Sequence, residues 1–187
     1  VLLIAMGSFR SISKDDESSM QRLTAWYEGI QMLGHRPLFG FGKERFLEYH
    51  PKVAHNSFVT IMAELGTIGY ILWMTFLLLC FLMLFRIVKL KSQIESPCEK
   101  LKQEISMSTY LVISLVGYCS TAFFISRSYI MFFYVFAAMS AASFIRSANL
   151  VGKDTLQISG KDIMKMTVLS AVSLFVLCQL IIVLLKI

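Results

Sequence analysis

Apolar residues gather in four long runs separated by polar segments. The runs 66–85, 105–126 and 128–145 hold no charged residue, and 164–185 carries only Lys165, close enough to its end for the ammonium group to reach water. A bilayer core of about 30 Å is crossed by roughly 20 apolar residues in a helix, whereas a buried helix of a soluble core shows runs of about 10–14. Each run therefore predicts a transmembrane helix. Residues 1–6 (VLLIAM) read as the end of a preceding span, so the chain reads as a fragment of a longer membrane protein. The predicted fold class is all-α, a polytopic transmembrane helical bundle with an outer loop over 7–55 and connectors over 86–104 and 146–163.

The outer loop has its own pattern. Met20, Leu23, Trp26, Ile30 and Leu33 recur at helical spacing, which predicts an amphipathic helix near 19–33. Ser18 and Gln21 form a capping-box pattern, three acids precede the helix, and Gly34 suits the position that ends it. Such a helix is expected to lie along the membrane surface with Trp26 and Tyr27 at headgroup level. Arg22 lies four residues before Trp26, at the edge of the apolar stripe. In HRPLFGFG (35–42), Pro37 restricts Arg36 to extended backbone, and Gly40 and Gly42 permit a tight turn. KERFLEY (43–49) predicts one or two helical turns, ended at His50-Pro51. In AHNSFV (54–59), Asn56 or Ser57 is the expected N-cap, which puts His55 at the mouth of a membrane-entering helix. Gly66 and Gly69 are expected to divide an interfacial segment, 56–65, from the true span. Glu64 then lies near the boundary and needs a partner or water.

Composition sharpens this picture. The chain is 56% hydrophobic and 16% charged, with mean hydropathy +0.66, against about 25% charge in soluble domains. An ordinary soluble enzyme and a disordered chain are both excluded. The net charge of +6 does not point to nucleic acid, because membrane proteins concentrate Lys and Arg in cytoplasmic loops. The connectors 86–104 and 146–163 are dense in Lys and Arg, and the outer loop is diluted and balanced by acids, so the connectors are assigned to the cytoplasm and 7–55 to the outside. The cysteines, at 80, 98, 119 and 178, form no C-x-x-C pair and none lies in the outer loop. No disulfide framework, metal centre or cofactor is expected. The run AAMSAAS (137–143) is a packing face between helices.

Arg22, Arg36, Lys43 and Arg45 gather cations at the outer surface, and guanidinium forks match phosphate oxygens. Arg127, at the outer turn between two spans, is a second clamp candidate. His55 can accept a proton near neutral pH. A base beside a diphosphate clamp at lipid height points to group transfer from a lipid diphosphate, with no metal required if cationic side chains carry the leaving charge. Against this stand blander readings: a capping histidine, a cation cluster that holds anionic headgroups and an anchoring Trp. The alternative of another class is a non-catalytic transporter, flippase or scaffold of polysaccharide export. Ion coupling is disfavoured, because the spans carry essentially no ionisable residue away from their ends.

The ordered set of Arg22 and Trp26, HRPLFGFG, AHNSFV and ELGTIGY resembles the O-antigen ligase and O-antigen polymerase superfamily, over about residues 20–72. The resemblance implies a polytopic enzyme of the bacterial inner membrane with a periplasmic active face. Such enzymes are metal-independent glycosyltransferases that move a glycan from undecaprenyl diphosphate to a hydroxyl of lipid A core, a growing polysaccharide or a protein. The implied partners are that donor, the acceptor and membrane lipids, with no nucleic acid. His55 corresponds to the family's essential periplasmic histidine and Arg22 to its diphosphate-contacting arginine; Arg45 and Arg127 are assisting cations on the charge argument, not from the resemblance. Trp26, Pro37, Gly40, Gly42 and Asn56 shape the loop.

Overall fold

The computed structural model of the chain describes residues 17–126, 128–152 and 154–186. Residues 1–6 and Arg127 lie outside the described residues. Among the described residues six helices follow in order: α1 (Glu17–His35), α2 (Phe46–Tyr49), α3 (Ser57–Gln93), α4 (Glu99–Phe124), α5 (Met131–Val151) and α6 (Gly160–Lys186). There is no strand among the described residues. Helices α3 to α6 are each long and apolar enough to cross a membrane, and they pack as a bundle around α3. Leu72, Phe76, Ile113, Phe132 and Phe175 are exposed on its outside, as a lipid solvent requires.

The helices run past the charge-free stretches of sequence. α3 extends beyond 66–85 at both ends, because its last turns bury Ile87 and Leu90 in a second core with Leu101, Ile105 and Ala148. The same core draws the start of α4 back to Glu99. Residues 128–130 form a turn, so α5 begins at Met131 and continues to Gly152, whose φ of 94° ends it. The small-residue run does pack inward: Ser143 of α5 meets Ser108 of α4 at 3.1 Å.

Polar contacts sort the connections onto two ends of the bundle. At one end the Ser57 hydroxyl donates to the Ile125 carbonyl at 2.8 Å and Ser128 donates to the Ser57 carbonyl at 3.1 Å. The loop before α3 and the α4–α5 turn therefore share that end. At the other, Arg86 bonds Asp162 at 2.7 Å and Arg146 bonds Glu104 at 2.5 Å. Both basic connectors lie there.

Two expectations for α1 are corrected. Its apolar stripe faces protein: α1 packs on α3 and α6, and Trp26 is only 9% exposed, so it is not a headgroup anchor. Gly29 allows the close approach, since a Cβ there would lie 2.5 Å from Val59 Cγ1. Ser18 and Gly34 both fall inside the helix rather than at its ends. Arg36 N still donates to the Met32 carbonyl at 3.0 Å, and Pro37, which has no N–H, stops the ladder.

Helix α3 is broken at Gly66 (φ 68°, ψ −168°). Such a break deprives Thr67 N and Ile68 N of their helical acceptors, the Ala63 and Glu64 carbonyls. The 37–42 turn supplies all four partners. Thr67 N donates to Pro37 O (2.8 Å) and Ile68 N to Leu38 O (3.2 Å), while Ala63 O accepts from Phe41 N (3.3 Å) and Glu64 O from Gly42 N (2.8 Å). The turn is thus spliced into the broken ladder, and these four freed backbone groups are all paired. Gly40 and Gly66 meet backbone to backbone, both at positive φ, and a Cβ on either would run into the other's strand of the splice. Gly66, not Gly69, divides the helix.

Candidate active site

Arg22 and Trp26 stand one turn apart on α1, with Gln21 beside Arg22. The Trp26 indole N–H donates to the Ala54 carbonyl at 2.7 Å, and the ring packs edge-on against Phe123 at 5.7 Å. The connector after α2 is thereby drawn back onto α1. The same connector is turned at His50, whose Nδ1 lies 2.9 Å from the Lys52 carbonyl oxygen and 3.2 Å from Lys52 N. The Lys52 ammonium then donates to Gln21 Oε1.

His55 follows the tethered Ala54 and has a φ of 49°. His tolerates this left-handed region better than bulkier or β-branched residues do. What holds it there is the start of α3. Asn56 caps that helix, its side-chain oxygen accepting from Phe58 N (2.9 Å) and Val59 N (3.2 Å), and its carbonyl accepts from the Thr60 hydroxyl at 2.9 Å. Asn56 is buried. His55 is fixed between one tether to α1 and one helix cap, yet its own side chain is exposed.

The consequence is a cleft of about 190 Å³ lined by Gln21, Arg22, Lys52, Val53 and His55. Two cations and one imidazole share it, and no carboxylate lines it. Among the described residues, the Arg22 and His55 side chains have no hydrogen-bond or ion-pair partner. Two cations at a small, open cleft favour an anion with several oxygens. No group of three or more His, Cys, Asp or Glu able to hold a metal occurs among the described residues.

The other expected cations go elsewhere. Arg45 stands before α2 with its guanidinium 3.8 Å from Glu48, and it does not line the cleft. Arg36 lies over the Phe41 ring at 4.9 Å. Lys43 lies over the Tyr129 ring at 5.2 Å and pairs with Glu44 at 3.3 Å. Pro37, Gly40 and Gly42 belong to the splice into α3. Lys52, which has no part in the expected site, lines the cleft where Arg45 does not. Its signal was position: it is a cation in the short connector that delivers His55.

Glu64 has the partners its depth demands. It is 2% exposed, its Oε1 accepts from Phe46 N at 3.2 Å, and its Oε2 accepts from the Tyr129 hydroxyl at 2.7 Å. Burial, and then the neighbouring Glu64 carboxylate, push the Tyr129 phenol well above its ordinary range and keep it a proton donor.

No curated protein and no solved structure matches the chain. Residues 1–74 match the family model described as O-antigen ligase, so the stretch that carries Arg22, Trp26, the spliced turn, His55 and Gly66 is O-antigen-ligase-like in sequence, as the resemblance of those residues implies.

Proposed function

We propose that the chain forms part of a membrane glycosyltransferase that transfers a glycan from an undecaprenyl-diphosphate-linked donor to an acceptor hydroxyl. The reaction takes place on the bundle end opposite the basic connectors, the periplasmic side of a bacterial inner membrane by the positive-inside rule. The observation that carries this reading is the meeting of Arg22, Lys52 and His55 in one cleft.

In this reading the diphosphate of the donor seats against Arg22 and Lys52. His55 takes the proton of the acceptor hydroxyl as its oxygen attacks the anomeric carbon. The new glycosidic C–O bond forms while the bond from that carbon to the diphosphate oxygen breaks. The electron pair leaves with the polyprenyl diphosphate, whose growing negative charge the two cations stabilise. The proton passes from His55 to water. No cofactor or metal takes part. Ligation and polymerisation share this step and differ in whether the acceptor is a finished anchor or a growing chain.

His55→Ala in the full-length protein in membranes tests it. General-base catalysis contributes roughly 10²–10⁴-fold, so glycan transfer from the lipid-linked donor falls by at least that lower figure while membrane insertion is retained. Transfer at the wild-type rate refutes the base assignment.

A further inference from the structure

Helix α1 runs beside the start of α3 and in the same direction. Trp26 bonds Ala54, Gly29 lies against Val59, and Pro37 O accepts from Thr67 N. α1 therefore descends along α3, and the 37–42 turn sits at its foot, level with Thr67 and Ile68. At a rise of about 1.5 Å per residue, the helix from Gly66 to Arg86 is about 30 Å long, which is the thickness of a bilayer core. Arg86 belongs to the polar end that carries the basic connectors. With Arg86 at one edge of the hydrocarbon, the turn lies at the other.

The tip of the turn is apolar and uncovered. Leu38 is 58% and Phe39 73% exposed, as open as Leu72 on the outside of the bundle at 66%. Ile68, whose N–H is bonded to Leu38 O, begins a stripe of exposed residues at one-turn spacing that continues through Leu72 and Phe76. The turn and that stripe form one surface. No charged residue stands between Arg36 and Lys43, and Arg36 is long enough to keep its guanidinium above the hydrocarbon. Backbone polarity does not bar the turn from the edge of the lipid. Pro37 has no N–H, the carbonyls of Arg36, Pro37 and Leu38 all accept hydrogen bonds, and the N–H groups of Gly40, Phe41 and Gly42 all donate them.

We infer that the 37–42 turn is a membrane wedge, with Leu38 and Phe39 entering the acyl edge of the leaflet at the His55 end of the bundle. Phospholipid covers this surface rather than protein, because the surface runs without interruption into the outward stripe of α3 at the depth where the charge-free stretch begins. The membrane contact expected of α1 falls instead to the turn that follows it. The wedge is independent of the chemistry assigned to His55.

The test uses the full-length protein in phospholipid nanodiscs. Nitroxide labels are placed singly at Phe39→Cys, at Leu72→Cys as the lipid reference and at Glu48→Cys, an exposed carboxylate position, as the water reference, with the native cysteines replaced. Power saturation compares oxygen, which enters hydrocarbon, with a water-soluble nickel chelate. The label at 39 is expected to match that at 72 toward oxygen and to be at least about fivefold less accessible to nickel than that at 48, since hydrocarbon excludes the polar chelate. Phe39→Trp, which needs no cysteine replacement, is the second measurement. Its added emission is expected to be quenched by phospholipid brominated near the headgroup end of the chains more than by phospholipid brominated at the chain ends. Nickel access at 39 equal to that at 48, with no added quenching by either lipid, puts the turn in water and overturns the wedge. Access to neither reagent, again without added quenching, means that another protein segment or a second copy covers the turn, and overturns it equally.

Discussion

Trp26 and Ala54 are joined by one hydrogen bond, 2.7 Å from the indole nitrogen to the carbonyl oxygen, that binds the outer helix to the residue before His55. Trp26 is one helical turn from Arg22. The bond therefore sets how far the imidazole stands from the guanidinium, without itself touching the cleft. Trp26→Phe keeps a ring against Phe123 but leaves a buried carbonyl unpaired, at a cost of about 1–3 kcal/mol. The expected outcome is a lowered kcat with little change in donor KM, and helix content by circular dichroism as in the wild type. A kcat equal to that of the wild type removes Trp26 from the positioning of His55.

The splice of the 37–42 turn into α3 makes a second expectation. Gly40 and Gly66 sit at positive φ, where a Cβ costs about 1–2 kcal/mol even without a clash, and here the Cβ also meets backbone. Gly40→Ala and Gly66→Ala should each lower the unfolding temperature in detergent. Gly34 lies within α1 with open space around it, and Gly34→Ala should leave the protein unchanged or stabilise it by about 0.4–1 kcal/mol. Equal behaviour of all three variants contradicts the splice.

The cleft distinguishes among cations that the sequence alone cannot rank. Hydrogen bonds to charged groups contribute about 1.5–3 kcal/mol, so Lys52→Ala is expected to weaken donor binding by about tenfold or more. Arg22→Lys keeps the charge but loses the planar fork and should weaken it as well. Arg45, engaged with Glu48 at an exposed site, should be dispensable, since such pairs contribute about 0–1 kcal/mol. Donor KM values for the three variants decide this, and a larger effect for Arg45→Ala than for Lys52→Ala contradicts the assignment.

The spans were legible because a stretch of some 20 residues without charge has few uses outside a bilayer. Their ends were not, because Ile87, Leu90 and Leu101 belong to turns that alternate with Lys and Arg and are held by a second core. The period of α1 gave the stripe with Trp26 on it but could not say whether lipid or protein covers that stripe. A break at Gly66 was readable from the glycine itself. Its partner was not, because four backbone hydrogen bonds to 37–42 leave no mark in side-chain chemistry. Arg22 and His55 were singled out by type and motif. That Lys52 joins them, and Arg45 does not, depends on the path of a connector that Trp26 and the Asn56 cap fix in three dimensions.

Tyr129 and Glu64 carry a pH dependence whose sign follows from their geometry. The Tyr129 hydroxyl donates to the buried carboxylate at 2.7 Å, and its pKa is raised above the ordinary 10.0, first by burial and then by Glu64. A group whose folded pKa is raised contributes stability that is whole below the unfolded pKa and is lost as pH climbs from there toward the folded value. The protein should therefore show no loss from this pair at pH 7–9 and a falling unfolding temperature above about pH 10, where the unfolded phenol begins to ionise. Tyr129→Phe removes that phenol and with it this part of the alkaline slope. It also takes a donor from Glu64, so the variant should be less stable at neutral pH by about 1–3 kcal/mol. Thermal unfolding in detergent from pH 7 to 11 checks both effects. An alkaline slope unaltered in Tyr129→Phe, with neutral stability equal to that of the wild type, means that the pair contributes nothing to holding the α4–α5 turn against α3.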